Sequence, residues 1–385
     1  MEQVPSVPYE FDTSDVEGSV FRLARPLFGA TEPAKEHIRV QTLTQGTTNA
    51  LFRASYEPHP AQRLDVLIKI YGEGTDKTID RNKEIRLHKM LSDHGLAPSL
   101  LVRFPNGHGY QFLNGTVCSA EDMTTKRVWA NVAREMARWH ATLPAVELDT
   151  PERIINFEPS IWSTTRKWLN ALSTDTDAQR KRLALLEEEF AYCVNNLTRN
   201  DGPTYSMVLG HADLLSGNIV LQTQDAETVD GDMDKIPARF IDYEHSTYCP
   251  RAFELANHFA EWAGFECKYE LLPTTSTRLG FVREYLQAYE DIKEQQRGTS
   301  GLARLPVSDA QVNRLMSEID SFRGFPGFYW GLCALIQAEA STGAIDFDYA
   351  GYAEKRFSEY WAWREMYRGG SSKTASAREE NWASL

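Results

Sequence analysis

The chain has 385 residues, of which 42% are hydrophobic and 25% are charged, and its formal net charge at pH 7 is −13. This length allows two domains with large buried cores, and the composition is ordinary for a globular enzyme. The negative charge argues against nucleic acid and anionic membrane surfaces as partners, because like charges repel. Any nucleotide must therefore be held by local cations and metal ions.

Cysteine usage and the first residues of the sequence indicate an intracellular protein. The five cysteines are scattered and form no C-x-x-C pair, which argues against a disulfide framework and against a zinc site. The start, Met-Glu-Gln-Val-Pro-Ser, lacks the basic and apolar runs of a signal peptide, and no apolar segment has membrane-spanning length. We therefore expect a cytoplasmic protein that does not insert into membranes.

The N-terminal part of the chain predicts a flexible segment followed by strands. Residues 1–17 are acidic and contain proline, so we expect them to be flexible. Two strands, 38–43 and 51–56, then enclose a segment whose backbone N–H groups could cover nucleotide phosphates. The candidate phosphate-binding residues are Gly46, Thr47, Thr48 and Asn49. The segment matches neither the Walker motif nor G-x-G-x-x-G, so an ordinary turn explains it equally well.

A lysine in the third predicted strand, 66–71, needs a partner. Lys69 lies among apolar residues, and burying an unpaired ammonium group is costly. Glu84, on a helix predicted over 76–94, lies where a kinase helix places the glutamate that pairs with the strand lysine. The alternative is that Lys69 reaches solvent and that Glu84 is a solvated helix residue.

Two more strands, 100–104 and 109–113, complete a β-rich N-terminal domain over 18–113. Its end is the expected hinge, where the backbone of Gln111 and Leu113 could bind the edge of an adenine. The rest of the chain predicts a larger, mostly helical domain, 114–368, and then a disordered tail, 369–385. The amphipathic patterns predict helices at 124–143, 161–172, 177–197, 252–264, 278–295, 308–322, 328–341 and 349–367.

Two short strings in the larger domain contain the residues that phosphoryl transfer requires. Gly-His-Ala-Asp-Leu-Leu-Ser-Gly-Asn (210–218) places Asp213 and Asn218 five residues apart, and Phe-Ile-Asp-Tyr-Glu (240–244) places Asp242 at a strand end. The kinase signature H-R-D-L-x-x-x-N followed by D-F-G has the same Asp-to-Asn spacing. Phosphoryl transfer needs one carboxylate at the attacking hydroxyl, and a second carboxylate and an amide oxygen for Mg²⁺.

The segment after Asp242 favours a small acceptor. Only a short connection separates it from the helix at 252–264, whereas a protein kinase places a long activation segment there. That helix presents a polar stripe made of Glu254, Asn257, His258 and Glu261. The stripe could bind a metal or be a solvated face, but a carboxylate wall for a cationic substrate fits it better. Glu261 is the expected contact.

Several segments resemble the choline/ethanolamine kinase family, over about residues 40 to 365. They are His-Ala-Asp-Leu-Leu-Ser-Gly-Asn (211–218), Phe-Ile-Asp-Tyr-Glu-His-Ser (240–246), Asn-His-Phe-Ala-Glu-Trp-Ala-Gly (257–264), Phe-Tyr-Trp-Gly-Leu-Cys-Ala-Leu-Ile-Gln-Ala (328–338) and Tyr-Ala-Glu-Lys-Arg-Phe (352–357). The resemblance implies an α+β, bilobal, protein-kinase-like fold and phosphorylation of an amino alcohol by Mg²⁺ and ATP. It also implies a homodimer as a possible assembly.

The resemblance assigns expected roles by position. Asp213 is the implied catalytic base, Asn218 and Asp242 are the implied Mg²⁺ ligands, and Lys69 with its partner Glu84 is implied to contact ATP phosphates. ATP is expected between the two lobes. The residues expected at the amino-alcohol substrate are Asp213, Glu244, Glu261, Trp330 and Tyr352.

Two departures from choline kinases bear on the substrate. Cys333 stands where those enzymes have a second tryptophan, and Glu266 stands in place of an aromatic residue of their pocket. Quaternary ammonium depends on aromatic faces, whereas the ammonium group of ethanolamine has N–H donors that favour carboxylates. We therefore expect ethanolamine, with choline kinase or a dual enzyme as the alternative. A kinase of another small alcohol, such as an aminoglycoside, and an inactive nucleotide-binding module are further alternatives.

Overall fold

The computed structural model describes most of the chain, and its residues group into two compact units. The described residues are 4–28, 33–45, 49–59, 62–72, 74–148, 150–198, 205–222, 237–298, 306–340, 347–367 and 377–384. The N-terminal unit spans Met1–Asn114 and Ser341–Phe347, and the C-terminal unit spans Gly115–Ala340 and Asp348–Leu385. The main division of the chain falls after Asn114.

An antiparallel sheet forms most of the N-terminal unit. Its strands are β1 (Ile38–Gln45), β2 (Asn49–His59), β3 (Gln62–Tyr71), β4 (Leu100–Phe104) and β5 (Gly107–Gln111), in the order β1-β2-β3-β5-β4. The helices of this unit are α1 (Val16–Ala24) and α2 (Arg81–Asp93).

Alternate side chains of β3 lie on opposite faces of the sheet and pack in two different clusters. Val66, Ile68 and Ile70 pack with residues of α1 in one apolar cluster. Leu67 belongs to a second cluster, together with Ile85 of α2. Because side chains two apart in a strand share a face, the position of Lys69 places it on the α2 side of the sheet.

The N-terminal segment differs from the prediction of flexibility. Phe11 is 3% exposed and its ring stacks on Phe52, with the ring centroids 5.3 Å apart. Its backbone N–H donates to Oδ1 of Asn106 (2.9 Å), and Ser6 forms a parallel bridge with Arg103. Composition alone misled, because one buried aromatic ring and a few hydrogen bonds are enough to hold this acidic segment on the sheet.

The C-terminal unit is mostly helical. Its helices are α3 (Ala120–Met123), α4 (Lys126–Thr142), α5 (Pro151–Asn156), α6 (Ile161–Ala171), α7 (Asp177–Leu197), α8 (Arg251–Glu261), α9 (Thr275–Gln296), α10 (Asp309–Phe322), α11 (Phe325–Ala340), α12 (Tyr349–Tyr367) and α13 (Ala377–Ala383). Its strands are β6 (Thr116–Val117), β7 (Val146–Leu148), β8 (Tyr205–Gly210), β9 (Ile219–Leu221), β10 (Ala238–Phe240) and β11 (Thr247–Pro250), in the antiparallel sheets β10-β9-β6 and β11-β8-β7.

A buried tryptophan of α4 supports both short strings. Trp139 is 1% exposed, and its ring lies 5.5 Å from the ring of His211 and 5.9 Å from that of Tyr243, measured between centroids. The same ring packs 5.7 Å from Phe240. The packing of α4 therefore fixes the ends of β8 and β10, where the two strings begin.

The end of the chain also differs from the prediction, which was a disordered tail over 369–385. The described part of that range forms α13, in which Trp382 is 5% exposed. The guanidinium of Arg278 lies 4.1 Å from the centre of its ring and donates to its backbone carbonyl (2.7 Å). The Gly-Ser run at 369–372 suggested disorder, but it precedes a short helix whose buried residues are Arg378, Glu379 and Trp382.

Within the described residues, none of the helices combines the length and apolar character that crossing a bilayer requires.

Replacing Phe11 tests whether the N-terminal segment is part of the folded unit. Phe11→Ala should lower the free energy of unfolding by about 3 kcal/mol, as is typical when a buried phenylalanine is truncated. The midpoint of urea unfolding measures this loss. Glu10→Ala, at the exposed neighbouring position, is the matched control, and equal midpoints for the two variants would mean that the segment is detached in solution.

Candidate active site

The first string forms a closed loop between two strands. After β8 the chain passes through Asp213 and a 3-10 turn, Ser216–Asn218, before it enters β9. The side-chain amide of Asn218 donates to the backbone carbonyl of Asp213 (2.8 Å) and to its carboxylate Oδ2 (3.2 Å). The five-residue spacing therefore brings the two predicted site residues into direct contact.

The second string lies beside the first. Strand β10 pairs with β9, and the N–H of Ile241 donates to the carbonyl of Asn218 (3.0 Å). Nε2 of His211 lies 2.9 Å from the carbonyl oxygen of Ile241, so the histidine cross-links the two strings. Asp242 follows with a positive φ of 67°, a conformation uncommon for residues other than glycine and frequent at functional sites.

Three side chains of α8 hold the backbone of residues 211–214, and we call them the α8 clamp. Glu254 accepts from the N–H groups of His211 (2.8 Å) and Ala212 (3.0 Å). Asn257 donates to the carbonyl of Ala212 (3.1 Å), and Nδ1 of His258 lies 2.8 Å from the carbonyl oxygen of Leu214. All three side chains are 1% exposed.

The clamp explains the glycine at the start of the loop. At Gly210 a Cβ atom would lie 2.5 Å from Oε2 of Glu254, so only glycine allows the carboxylate to approach this closely. Ala212 has a φ of 62°, a left-handed conformation that is uncommon for residues other than glycine. His258 is held neutral, because burial lowers its pKa to about 4 although its contact with the Leu214 carbonyl acts in the opposite direction.

The predicted use of the α8 stripe is therefore wrong for three of its four residues. Glu254, Asn257 and His258 use their polar atoms on the backbone of the catalytic loop, and they form neither a metal site nor a solvated face. Glu261, the fourth, is 5% exposed and forms an ion pair with Nη2 of Arg356 (3.2 Å), which is fully buried. The spacing i, i+3, i+4, i+7 predicted one polar face correctly, but periodicity does not reveal what that face contacts.

The carboxyl group of Asp213 lies in a negative environment. Burial raises its pKa well above the usual range, and the charges of Glu261, Asp242 and Glu244 raise it further, while the hydrogen bond from Asn218 acts in the opposite direction. Glu244 is itself 3% exposed. The site therefore concentrates carboxylates and favours cations as ligands.

The other residues that were expected around the amino-alcohol substrate are all buried, but their contacts differ. Trp330 is 8% exposed, and its indole N–H donates to Oδ1 of Asn257 (2.9 Å), so that it supports the clamp. Tyr352 is 8% exposed, and the guanidinium of Arg356 lies 5.8 Å from its ring centre. Cys333 is buried, and its thiol pKa is raised by burial first and then by the charges of Asp213 and Glu244.

Glu266 does not belong to this group of residues. Its side chain is 74% exposed and pairs with Lys268 (2.9 Å). The preceding residue, Phe265, places its ring 5.8 Å from the ring of Tyr352. The sequence analysis considered Glu266, but the residue beside it, Phe265, is the one whose ring contacts Tyr352.

The N-terminal unit contains the lysine–glutamate pair that the sequence suggested. Nζ of Lys69 lies 2.8 Å from Oε1 of Glu84, and the two side chains are 3% and 2% exposed. Asn49 begins β2, whereas Gly46, Thr47 and Thr48 lie outside the described residues. Gln111, at the end of β5, and Leu113 close this unit beside the division of the chain.

Sequence analysis missed several residues that shape these sites. The clamp residues were predicted to form part of a wall facing a cationic substrate, and Arg356 on α12 and Arg81 on α2 were not singled out. Both arginines contact a carboxylate that the sequence analysis did select, Glu261 and Glu84 respectively. For Arg81 the signal was its position three residues before Glu84 on a helix, while Arg356 gave no local signal.

Comparisons with known proteins place the chain among enzymes of one kind. A family model described as choline/ethanolamine kinase matches residues 40–361. The chain is 32% identical to ethanolamine kinase 2 of Rattus norvegicus, over 93% of this chain and 84% of that protein. It is 34% identical to ethanolamine kinase of Drosophila melanogaster, over 80% of this chain and 56% of that protein.

Solved structures show the same fold. The match to Plasmodium vivax ethanolamine kinase has a TM-score of 0.70 at 24% identity and covers 91% of this chain and 89% of that one. The match to choline kinase from Cryptosporidium parvum has a TM-score of 0.65 at 21% identity and covers 93% and 97%. The predicted fold, a β-rich N-terminal part and a larger helical part, is therefore confirmed.

The charge of Glu254 predicts a pH dependence of stability. Burial raises its pKa from 4.5 to about 7, although hydrogen bonds from Ala212, His211 and Cys249 oppose the shift. The folded state therefore prefers the protonated carboxyl group. As the pH rises from 4.5 to about 7, ionisation of this group lowers the free energy of unfolding.

In Glu254→Gln this titration is absent. The stability of the wild type relative to the variant should therefore fall by about 2 to 3 kcal/mol between pH 5 and pH 8. Urea unfolding of both proteins across this range measures the difference. The unpaired N–H that glutamine leaves in the variant adds a constant offset, so parallel pH profiles would contradict the assignment.

Proposed function

This chain belongs to the choline/ethanolamine kinase family, and we propose that it transfers the γ-phosphoryl group of ATP to the hydroxyl group of ethanolamine. The products are phosphoethanolamine and ADP. The geometric observation that carries this proposal is the contact of the two strings, which brings Asp213, Asn218 and Asp242 together. The chain is a small-molecule kinase, and its product would enter the synthesis of phosphatidylethanolamine through CDP-ethanolamine.

We propose Asp213 as the group that accepts the proton of the ethanolamine hydroxyl. Its carboxylate is oriented by the Asn218 amide, and its loop is fixed by the α8 clamp. The raised pKa favours proton acceptance, because the carboxylate is a stronger base than one in water. The transition state of phosphoryl transfer is loose, so positioning and charge stabilisation are expected to provide most of the rate enhancement.

Asn218 and Asp242 are the proposed Mg²⁺ ligands. The amide nitrogen of Asn218 is engaged with Asp213, which leaves the amide oxygen as its remaining side-chain donor atom for a hard cation. Asp242 supplies a carboxylate beside it, since the two strings are joined at Ile241. These oxygen donors fit Mg²⁺, and the bound ion would neutralise negative charge on the phosphate oxygens.

The ammonium end of ethanolamine is proposed to contact carboxylates near Asp213. Glu244 and Glu261 are buried and their charges act on Asp213, which supports their placement around the acceptor. Arg356 already pairs with Glu261, so it balances part of this negative charge and fixes the carboxylate. Trp330 and Tyr352 are the proposed walls of the pocket.

ATP is proposed to use the N-terminal unit. Lys69, held by Glu84, is the proposed contact for the phosphates, and the backbone at Gln111 and Leu113 is the proposed contact for adenine. Asn49 remains a candidate contact for the phosphates.

A cytoplasmic location and a homodimer are also part of this proposal, and they rest on the sequence and on the family resemblance.

The choice of acceptor gives the first test. ADP release with Mg²⁺ and ATP should show a kcat/KM for ethanolamine at least about tenfold above that for choline, because ammonium donates hydrogen bonds to carboxylates and quaternary ammonium cannot. A preference for choline would contradict the ethanolamine assignment. Turnover of an aminoglycoside alone would support the alternative that the chain is a kinase of another small alcohol. Nucleotide binding without ADP release would support an inactive nucleotide-binding module.

Removing the proposed base gives the second test. Asp213→Asn should lower kcat by about 10² to 10⁴, the usual contribution of general base catalysis, while the thermal unfolding temperature stays near that of the wild type. Asp175→Asn, at an exposed position of the same unit, is the control and should keep full activity. An active Asp213→Asn enzyme would exclude this residue as the base.

A further inference from the structure

Both oxygens of the Glu84 carboxylate are bound by cations of the N-terminal unit. Oε1 lies 2.8 Å from Nζ of Lys69, and Oε2 lies 2.9 Å from Nη1 of Arg81. Glu84 is 2% exposed, whereas the Arg81 side chain is 16% exposed. The orientation of the Glu84 carboxylate is therefore fixed by two ion pairs, one with Lys69 and one with Arg81.

Arg81 also connects three separate parts of the unit. Its Nη2 donates to Oδ1 of Asn49 (3.1 Å), the first residue of β2, and to Oγ1 of Thr75 (2.6 Å). Its guanidinium lies 4.2 Å from the ring centre of Tyr71, the last residue of β3. The start of α2, the start of β2 and the end of β3 therefore meet at this one side chain.

Lys69 and Arg81 supply two positive charges at the carboxylate of Glu84, in a chain whose formal net charge is −13. Such cations are the groups that nucleotide phosphates contact in an acidic protein. A planar guanidinium can bind Glu84 and Asn49 at once in a fixed geometry, which a lysine ammonium group cannot reproduce.

We propose that Arg81 is a positioning residue for the nucleotide: it orients Glu84, and through Glu84 it holds Lys69 in place for the phosphates. This inference rests on the proposed function in one respect, the role of Lys69. If Arg81 acts through Lys69, replacing Arg81 should weaken nucleotide binding only while Lys69 is present. If Arg81 only stabilises the fold, the effects of the two substitutions on nucleotide affinity are independent.

A double-mutant cycle separates these two cases. Calorimetry with Mg²⁺ and ATP, without any acceptor, measures the affinity of the wild type, Arg81→Ala, Lys69→Ala and the double variant. Arg81→Ala should weaken nucleotide binding about tenfold, and it should weaken binding no further when Lys69 is already alanine. Steady-state kinetics should show a raised KM for ATP with the KM for ethanolamine unchanged.

Two further variants control for folding. Arg86→Ala, at an exposed position on the same helix, should bind the nucleotide as the wild type does. Arg81→Lys keeps the charge and should recover only part of the affinity, and it serves as the test variant in the cycle if Arg81→Ala does not fold.

Two outcomes would overturn the inference. They are an unchanged affinity in a folded Arg81 variant, and losses of affinity that add fully with those of Lys69→Ala. A wild type that binds ATP but phosphorylates no amino alcohol would contradict the proposed function instead, and the binding cycle would still decide the role of Arg81.

Discussion

The α8 clamp is the constraint on which the rest of the site depends. The loop that carries Asp213 has no regular hydrogen-bond ladder between β8 and the 3-10 turn, so its backbone groups need other partners. Glu254, Asn257 and His258 supply them from one buried helix face. Removing one partner from such a buried network leaves a backbone group unsatisfied, which costs about 1–3 kcal/mol. The position of Asp213 is thus set by a helix that follows it by some forty residues.

Each of the two units contains a buried group of charged side chains. In the C-terminal unit, Asp213 is surrounded by other carboxylates that raise its pKa, and cationic ligands relieve this repulsion. An ammonium group and Mg²⁺ are both suited to such a site. In the N-terminal unit, Lys69 and Arg81 both bind the carboxylate of Glu84, and these two cations are the groups suited to phosphates. This distribution reconciles an acidic chain with a nucleotide substrate.

Local patterns in the sequence predicted the elements and the short-range pairings well. The helix predicted at 349–367 has those bounds in the structure, and the expected partner of Lys69 is indeed Glu84. The role of the α8 stripe could not be predicted, because its partners lie about forty residues earlier in the chain and are backbone atoms. The pairing of Glu261 with Arg356 was equally hidden, since it joins two distant helices. Composition failed at both ends of the chain, where single buried aromatic residues, Phe11 and Trp382, hold segments that looked disordered.

Amide hydrogen exchange at single-residue resolution tests most directly whether α8 holds the catalytic loop. The N–H groups of His211 and Ala212 lie outside regular secondary structure but donate to buried Glu254. They should exchange as slowly as the amide of Leu209 in the paired strand β8, because exposure requires opening of the same packed region. Exchange of these two amides at the rate of an exposed loop, with Leu209 protected, would show that the clamp does not fix the loop in solution.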